Sequence, residues 1–159
     1  MPISVFDALV SLEQERYRAV ILHAGPEISP SMTHFCQKVC KQTYGKYLDL
    51  LDFFIQSPNL SENIDSFSPE KLRELLIDQS KGQSLLVIDR VDFLLDTWRK
   101  SERQDFFRFI KNQWDSYKDG MKAKLIVVLQ TSQEIESLKI LDSQGQSRIF
   151  RLNDFNDIG

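Results

Sequence analysis

The sequence predicts an α/β protein: a three-layer α/β/α sandwich built on a five-stranded, mostly parallel sheet. Three observations lead there. The runs Leu85-Leu86-Val87-Ile88 and Leu125-Ile126-Val127-Val128-Leu129 carry no polar alternation, as expected of strands buried on both faces. Both runs stop abruptly at polar residues, Asp89 and Gln130-Thr131. Segments of helical periodicity separate the strand segments, and that alternation implies parallel strands with helices on both faces. An acidic residue at the carboxyl end of a buried strand sits where open α/β sheets bind ligands. The alternative for Asp89 is a side chain that merely caps the next turn.

Taken in order, the chain opens with an amphipathic helix over Ser4 to Arg18, in which Phe6, Leu9, Val10 and Tyr17 share a face. Arg18 to Ala24 reads as a short apolar strand, broken at Gly25-Pro26. Met32, Phe35, Cys36, Val39 and Cys40 then recur at helical spacing. Strand, glycine-containing loop and helix in succession form the layout of a phosphate-binding loop. Lys46 to Leu50 reads as a second strand, and Asp52-Phe53-Phe54-Ile55 either continues it or begins a helix. Ser68-Pro69-Glu70 starts a helix, with serine at the cap and proline at the first helical position, and Lys81-Gly82 ends it. A long helix is expected from Lys100 to Lys118, with Phe106, Phe109, Ile110, Trp114 and Tyr117 as its apolar stripe. After the strand ending at Thr131 come a short helix or turn over Gln133 to Ile140 and a turn over Asp142 to Gly145. Arg148 to Leu152 is a last, alternating strand near a sheet edge.

The 159 residues suit one domain, and 42% hydrophobic content supplies one core. A net charge of −3 gives no global attraction to nucleic acid or anionic membrane. No apolar run approaches the length of a membrane span. The N-terminus lacks a basic region followed by an apolar core, so no signal peptide is expected. Cys36 and Cys40, four apart on a helix, fit reduced thiols in a cytoplasmic protein better than a disulfide framework.

Gly25-Pro26 after an apolar strand, Leu86-Val87-Ile88-Asp89 near mid-chain and a strand ending in Gln130-Thr131 resemble the Walker A, Walker B and sensor positions of P-loop NTPases. The resemblance is to the AAA-like and RecA-like ATPase branch and runs from about Arg18 to Leu152. The short chain, without a helical lid domain, and the segment Asp89 to Asp96 most resemble the BrxF family, small P-loop proteins of type 3 BREX phage-defence systems. The resemblance implies a single P-loop-like domain over residues 1–159, with the strand ending at Thr131 between those ending at Ala24 and Asp89. It implies a nucleotide site at Gly25, Ser31, Thr33 and Asp89. It also implies a place in a protein complex, with other subunits as partners, DNA reached through the complex, self-association and no membrane.

The motifs depart from the family pattern. Aligned on G-x-x-x-x-G-K-S/T, Gly25 is followed by Pro30 for the second glycine, Ser31 for the lysine and Met32 for the hydroxyl, with Thr33 one position on. Proline removes a phosphate donor, and Glu27 adds negative charge. Arg90 stands where this branch carries a water-activating glutamate and cannot act as a base. The leading reading is therefore a catalytically inactive P-loop-like protein, without cofactor, acting as a structural or regulatory subunit. The rival is a working AAA-like ATPase, using ATP with magnesium, on or near DNA.

Other candidates read as structural. Cys36, Cys40 and His34 lack a fourth metal ligand nearby, and His23 ends a core strand with no nucleophile evidently paired to it. Arg99, Lys100, Arg103, Arg108 and Lys111, flanked by Trp98 and Trp114, are the nucleic-acid candidates. Glu102, Asp105 and Asp115 interrupt them, which favours a solvated helix face. A hydrolase on this topology would need a nucleophile motif such as G-x-S-x-G, which the chain lacks.

Overall fold

The structure, a computed structural model, describes residues 19–25, 29–114, 123–141 and 145–152. The expected helix over Ser4 to Arg18, the loop residue Glu27, the end of the long helix with Tyr117, and Asp142 to Gln144 of the expected turn lie outside the described residues.

The elements alternate as the periodicities require. Strand β1 (Ala19–Ala24) leads to helix α1 (Ser29–Thr43), and β2 (Lys46–Asp49) to α2 (Leu50–Ile55) and α3 (Pro58–Glu62). A 3-10 turn at Ile64–Ser66 precedes α4 (Pro69–Ser80), then β3 (Leu85–Asp89) and α5 (Asp92–Thr97). Helix α6 (Lys100–Arg108) runs into a π-helical turn at Phe109–Gln113; β4 (Lys124–Gln130), α7 (Gln133–Ser137) and β5 (Ile149–Arg151) complete the order.

The five strands lie in the order β2-β3-β4-β1-β5, and every pair is parallel. Strand β4 thus separates β1 from β3, as expected. Side chains alternate between faces along each strand. On one face Ile21, Leu86, Ile88 and Val127 pack with Phe54, Leu72, Leu76 and Phe106 from α2, α4 and α6. On the other, Val20, Leu22, Val87 and Val128 pack with Met32, Phe35 and Val39 of α1. Burial on both faces is why these strands tolerate unbroken apolar runs.

Local chemistry sets several boundaries. Asp49 accepts the Asp52 backbone N–H at 3.1 Å, which makes Asp52 to Ile55 a helix rather than a continued strand. Ser68 caps α4 through Lys71 N at 3.2 Å, with Pro69 at the first position. At Gly45 a Cβ would come within 3.0 Å of Leu85 Cβ, so β2 can approach β3 there only without a side chain.

One helical expectation needs correction, and one helix was not expected. The long helix beginning at Lys100 turns π-helical after Arg108. A π turn brings residues i and i+5 together; Phe109 and Trp114 are both fully buried, with ring centroids 5.8 Å apart. The sequence also gave no sign of α5, whose six residues are too few to display periodicity.

Arg148 is only 2% exposed. Its guanidinium donates to the carbonyls of Leu141 (3.1 Å), Ala19 (2.9 Å) and Lys111 (2.7 Å). It ties the start of β1 to the π turn and to the approach to β5.

Candidate functional site

The carboxyl edge of the sheet collects the polar residues. Asp89, 5% exposed at the end of β3, is met from three directions. Thr33 of α1 donates its hydroxyl to Oδ2 at 2.9 Å, and Tyr47 of β2 donates to the same oxygen at 2.6 Å. The Arg90 backbone N–H donates to Oδ1 at 2.8 Å. The register explains Tyr47: it pairs with Val87, so its ring lies diagonally from Asp89 on the same face. Tyr47 holds its proton firmly, because burial raises its pKa and the bond to Asp89 raises it further. Burial, with Asp89 and Cys40 nearby, likewise pushes the Cys36 thiol up, and burial lifts Cys40 to about 11. Both thiols are free and buried.

Arg90 adopts φ +57°, in the left-handed region. Its side chain turns to Asp49, with Nε 2.8 Å from Oδ2 and Nη2 on the same oxygen. That bond raises the pKa of the guanidinium. The cation therefore sits on the cap of α2, and only the Arg90 backbone reaches Asp89.

Asp92, at the start of α5, accepts the Gln130 backbone N–H at 3.0 Å through Oδ1. Burial raises its pKa, with smaller contributions from Asp96 and Asp89, while the N–H groups of Gln130 and of Asp92 itself oppose the shift. Asp92 and Gln130 separate two hollows. One, of about 160 Å³, is lined by Met32, Leu51, Phe93 and Asp89. The other, a groove of about 420 Å³, is lined by Leu95, Asp96, Phe107 and Glu134. At the adjoining strand end His23 Nδ1 lies 2.9 Å from Thr131 Oγ1, and Thr131 N donates to Ala24 O at 2.8 Å. His23 is a satisfied polar residue there.

Of the expected nucleotide-site residues, the structure brings Thr33 and Asp89 together. Gly25 is half-buried at the end of β1 and Ser31 is exposed. Met32 is buried and lines the smaller hollow, so the hydroxyl facing Asp89 comes from Thr33, one residue beyond the aligned position. Pro30 falls in the first turn of α1, where a missing N–H breaks no helical bond.

Two of the nucleic-acid candidates are ion-paired within the protein. Arg103 is half-buried and holds Glu134 at 3.0 Å and the Trp98 carbonyl at 2.7 Å. Arg108 pairs with Asp105 at 3.0 Å. Arg99, Lys100 and Lys111 are exposed. Trp98 and Trp114 are buried and donate to the carbonyls of Phe67 and Ala123. This corrects the expected aromatic flanks: neither indole offers a stacking surface. His34 is exposed while Cys36 and Cys40 are buried, and no metal-ligating group of three or more residues occurs among the described residues.

Sequence reasoning missed Tyr47 and Asp49. Both lie in a four-residue strand whose side-chain alternation is visible, but the partners depend on a strand register that the sequence does not display. No helix among the described residues is long and apolar enough to cross a membrane. No protein-family model matches the chain, and no characterised protein matches it in sequence.

Proposed function

We propose that this chain is a catalytically inactive P-loop NTPase-like domain that serves as a structural or regulatory subunit, within a phage-defence complex of the BREX type. The observation that carries the reading is the engagement of Asp89. Both the Thr33 and the Tyr47 hydroxyls donate to its Oδ2, and its Oδ1 takes the Arg90 N–H. A carboxylate so occupied acts as a strut between α1, β2 and β3. The strand order β2-β3-β4-β1-β5 and the strand-loop-helix start support the fold relationship.

A magnesium nucleotide fits these residues poorly. The chain contains no Gly-Lys-Ser/Thr sequence, and Met32 precedes the hydroxyl that faces Asp89. Arg90, at the position of the water activator, is engaged with Asp49. Phosphoryl transfer depends on positioned cations and an oriented nucleophile, and these residues supply neither.

The rival, a nucleotide-binding ATPase, is favoured by one observation: Thr33 and Asp89 stand hydroxyl to carboxylate at 2.9 Å, a pair able to bear on a cation. Its DNA-directed form is weakened by the internal pairing of Arg103 and Arg108 and the burial of Trp98 and Trp114. Phosphate release with ATP and magnesium separates the readings. The inactive-subunit reading expects no turnover above a blank from wild type or from Asp89→Ala. Turnover in wild type that is lost in Asp89→Ala supports the rival.

A further inference from the structure

A carboxylate drawn partly out of water costs free energy unless donors or a cation compensate it. Asp92 is half-buried and receives two backbone N–H groups, that of Gln130 at 3.0 Å and its own. Among the described residues no cation pairs with it, because Arg90 is held by Asp49 and Arg103 by Glu134. Asp96 lies four residues further along α5, on the same helix face, and is exposed. Both carboxylates line the groove of about 420 Å³, whose apolar lining is Leu95, Phe107 and Ile135. The groove, which the Arg103–Glu134 pair also lines, therefore combines apolar side chains with two carboxylates that form no ion pair among the described residues.

We propose that this groove receives an arginine side chain of a partner protein, its guanidinium between Asp92 and Asp96 and its methylene stem along Leu95, Phe107 and Ile135. Charge complementarity selects a cation. A guanidinium presents N–H donors in a planar fork that serves two carboxylates at once, while its stem covers apolar surface. The edge that resembles a phosphate site is thus suited to the opposite charge. The inference deepens the binding-subunit reading. It rests on that reading only in taking the arginine to belong to a partner protein.

The test is an NMR titration of the full-length, ¹⁵N-labelled chain with N-acetyl-arginine amide, at ionic strength matched with sodium chloride. N-acetyl-citrulline amide is the uncharged control. Saturable shifts centred on the amides of Asp92, Asp96, Gln130 and Ser132 are expected, with a dissociation constant in the tens of millimolar for one guanidinium. Binding should weaken about tenfold or more with the citrulline compound and in the Asp92→Asn/Asp96→Asn variant. Asparagine retains an acceptor for the Gln130 N–H, so a dispersed spectrum identifies a folded variant. Equal binding of the citrulline compound, unchanged binding by the double variant, or no saturable shift at these residues would overturn the proposal. ATP with magnesium, titrated into the same chain, reports separately on the inactive-domain reading. Arginine failure without nucleotide binding sinks only this inference, whereas nucleotide binding sinks that reading.

Discussion

Tyr47 donates its phenolic hydrogen to Asp89 across 2.6 Å, from a neighbouring strand and two positions off register. Thr33 reaches the same oxygen from α1. One carboxylate oxygen therefore joins a helix and two strands at the edge of the sheet where ligands bind in this architecture.

Removing either hydroxyl should loosen that junction. Tyr47→Phe and Thr33→Val are each expected to lower unfolding free energy by about 1.5–3 kcal/mol, the scale of a hydrogen bond to a charged acceptor. Because both donors share an oxygen, the double variant should depart from additivity. Urea denaturation of the four chains of the cycle measures this. Additive losses would mean that the two bonds act independently.

Asp92 should make stability depend on pH. Burial raises its folded pKa above the ordinary value of 3.8, so the folded chain binds this proton more readily than the unfolded chain. The group therefore costs stability above its folded pKa, and that cost is relieved as pH falls from there toward 3.8. Asp92→Asn keeps an acceptor for Gln130 N–H and removes the charge. It should be more stable than wild type at neutral pH, with an advantage that shrinks across that acidic window. Thermal melts of both chains at several pH values check the sign.

Arg148 is a structural cation. Arg148→Met would strip the guanidinium from the carbonyls of Leu141, Ala19 and Lys111. A buried acceptor left unmet costs about 1–3 kcal/mol; the Ala19 bond is buried and the other two partly so, and a loss of about 2 kcal/mol or more in urea unfolding is expected. Arg148→Lys should recover only part of it, because an ammonium lacks the planar fork.

Arg103 should likewise behave as a stabilising residue. Arg103→Gln breaks the contacts to Glu134 and to the Trp98 carbonyl, and a melting temperature lowered by a few degrees is expected. Duplex DNA binding at physiological salt should be undetectable in wild type and variant alike. Salt-sensitive micromolar binding by wild type, reduced in an Arg99→Gln/Lys100→Gln chain, would establish a nucleic-acid surface instead.

The strands were legible because burial on both faces writes itself as apolar runs, and the observed β3 and β4 begin within a residue of the expected positions. Thr33 and Asp89 were legible because a loop between strand and helix, and a carboxylate at a strand end, are local patterns. Tyr47, Asp49 and Glu134 were not, because their roles come from partners far along the chain: Tyr47 and Asp89 are 42 residues apart, Arg103 and Glu134 are 31. In the basic run on α6 the carboxylates were legible as interruptions, but not which cations they pair with. Its composition suggests a patch, yet Arg103 and Arg108 are paired within the protein and both tryptophans turn inward.

The central claim is that the carboxyl edge of this sheet does not bind a magnesium nucleotide. Loss of a lysine contact alone should cost about one to two decades of affinity, and the occupied Asp89 carboxylate adds to that. Isothermal titration calorimetry of the full chain with ATP and magnesium tests it directly. The account predicts no saturable heat at micromolar to submillimolar nucleotide. A micromolar dissociation constant that disappears in Asp89→Ala would contradict it.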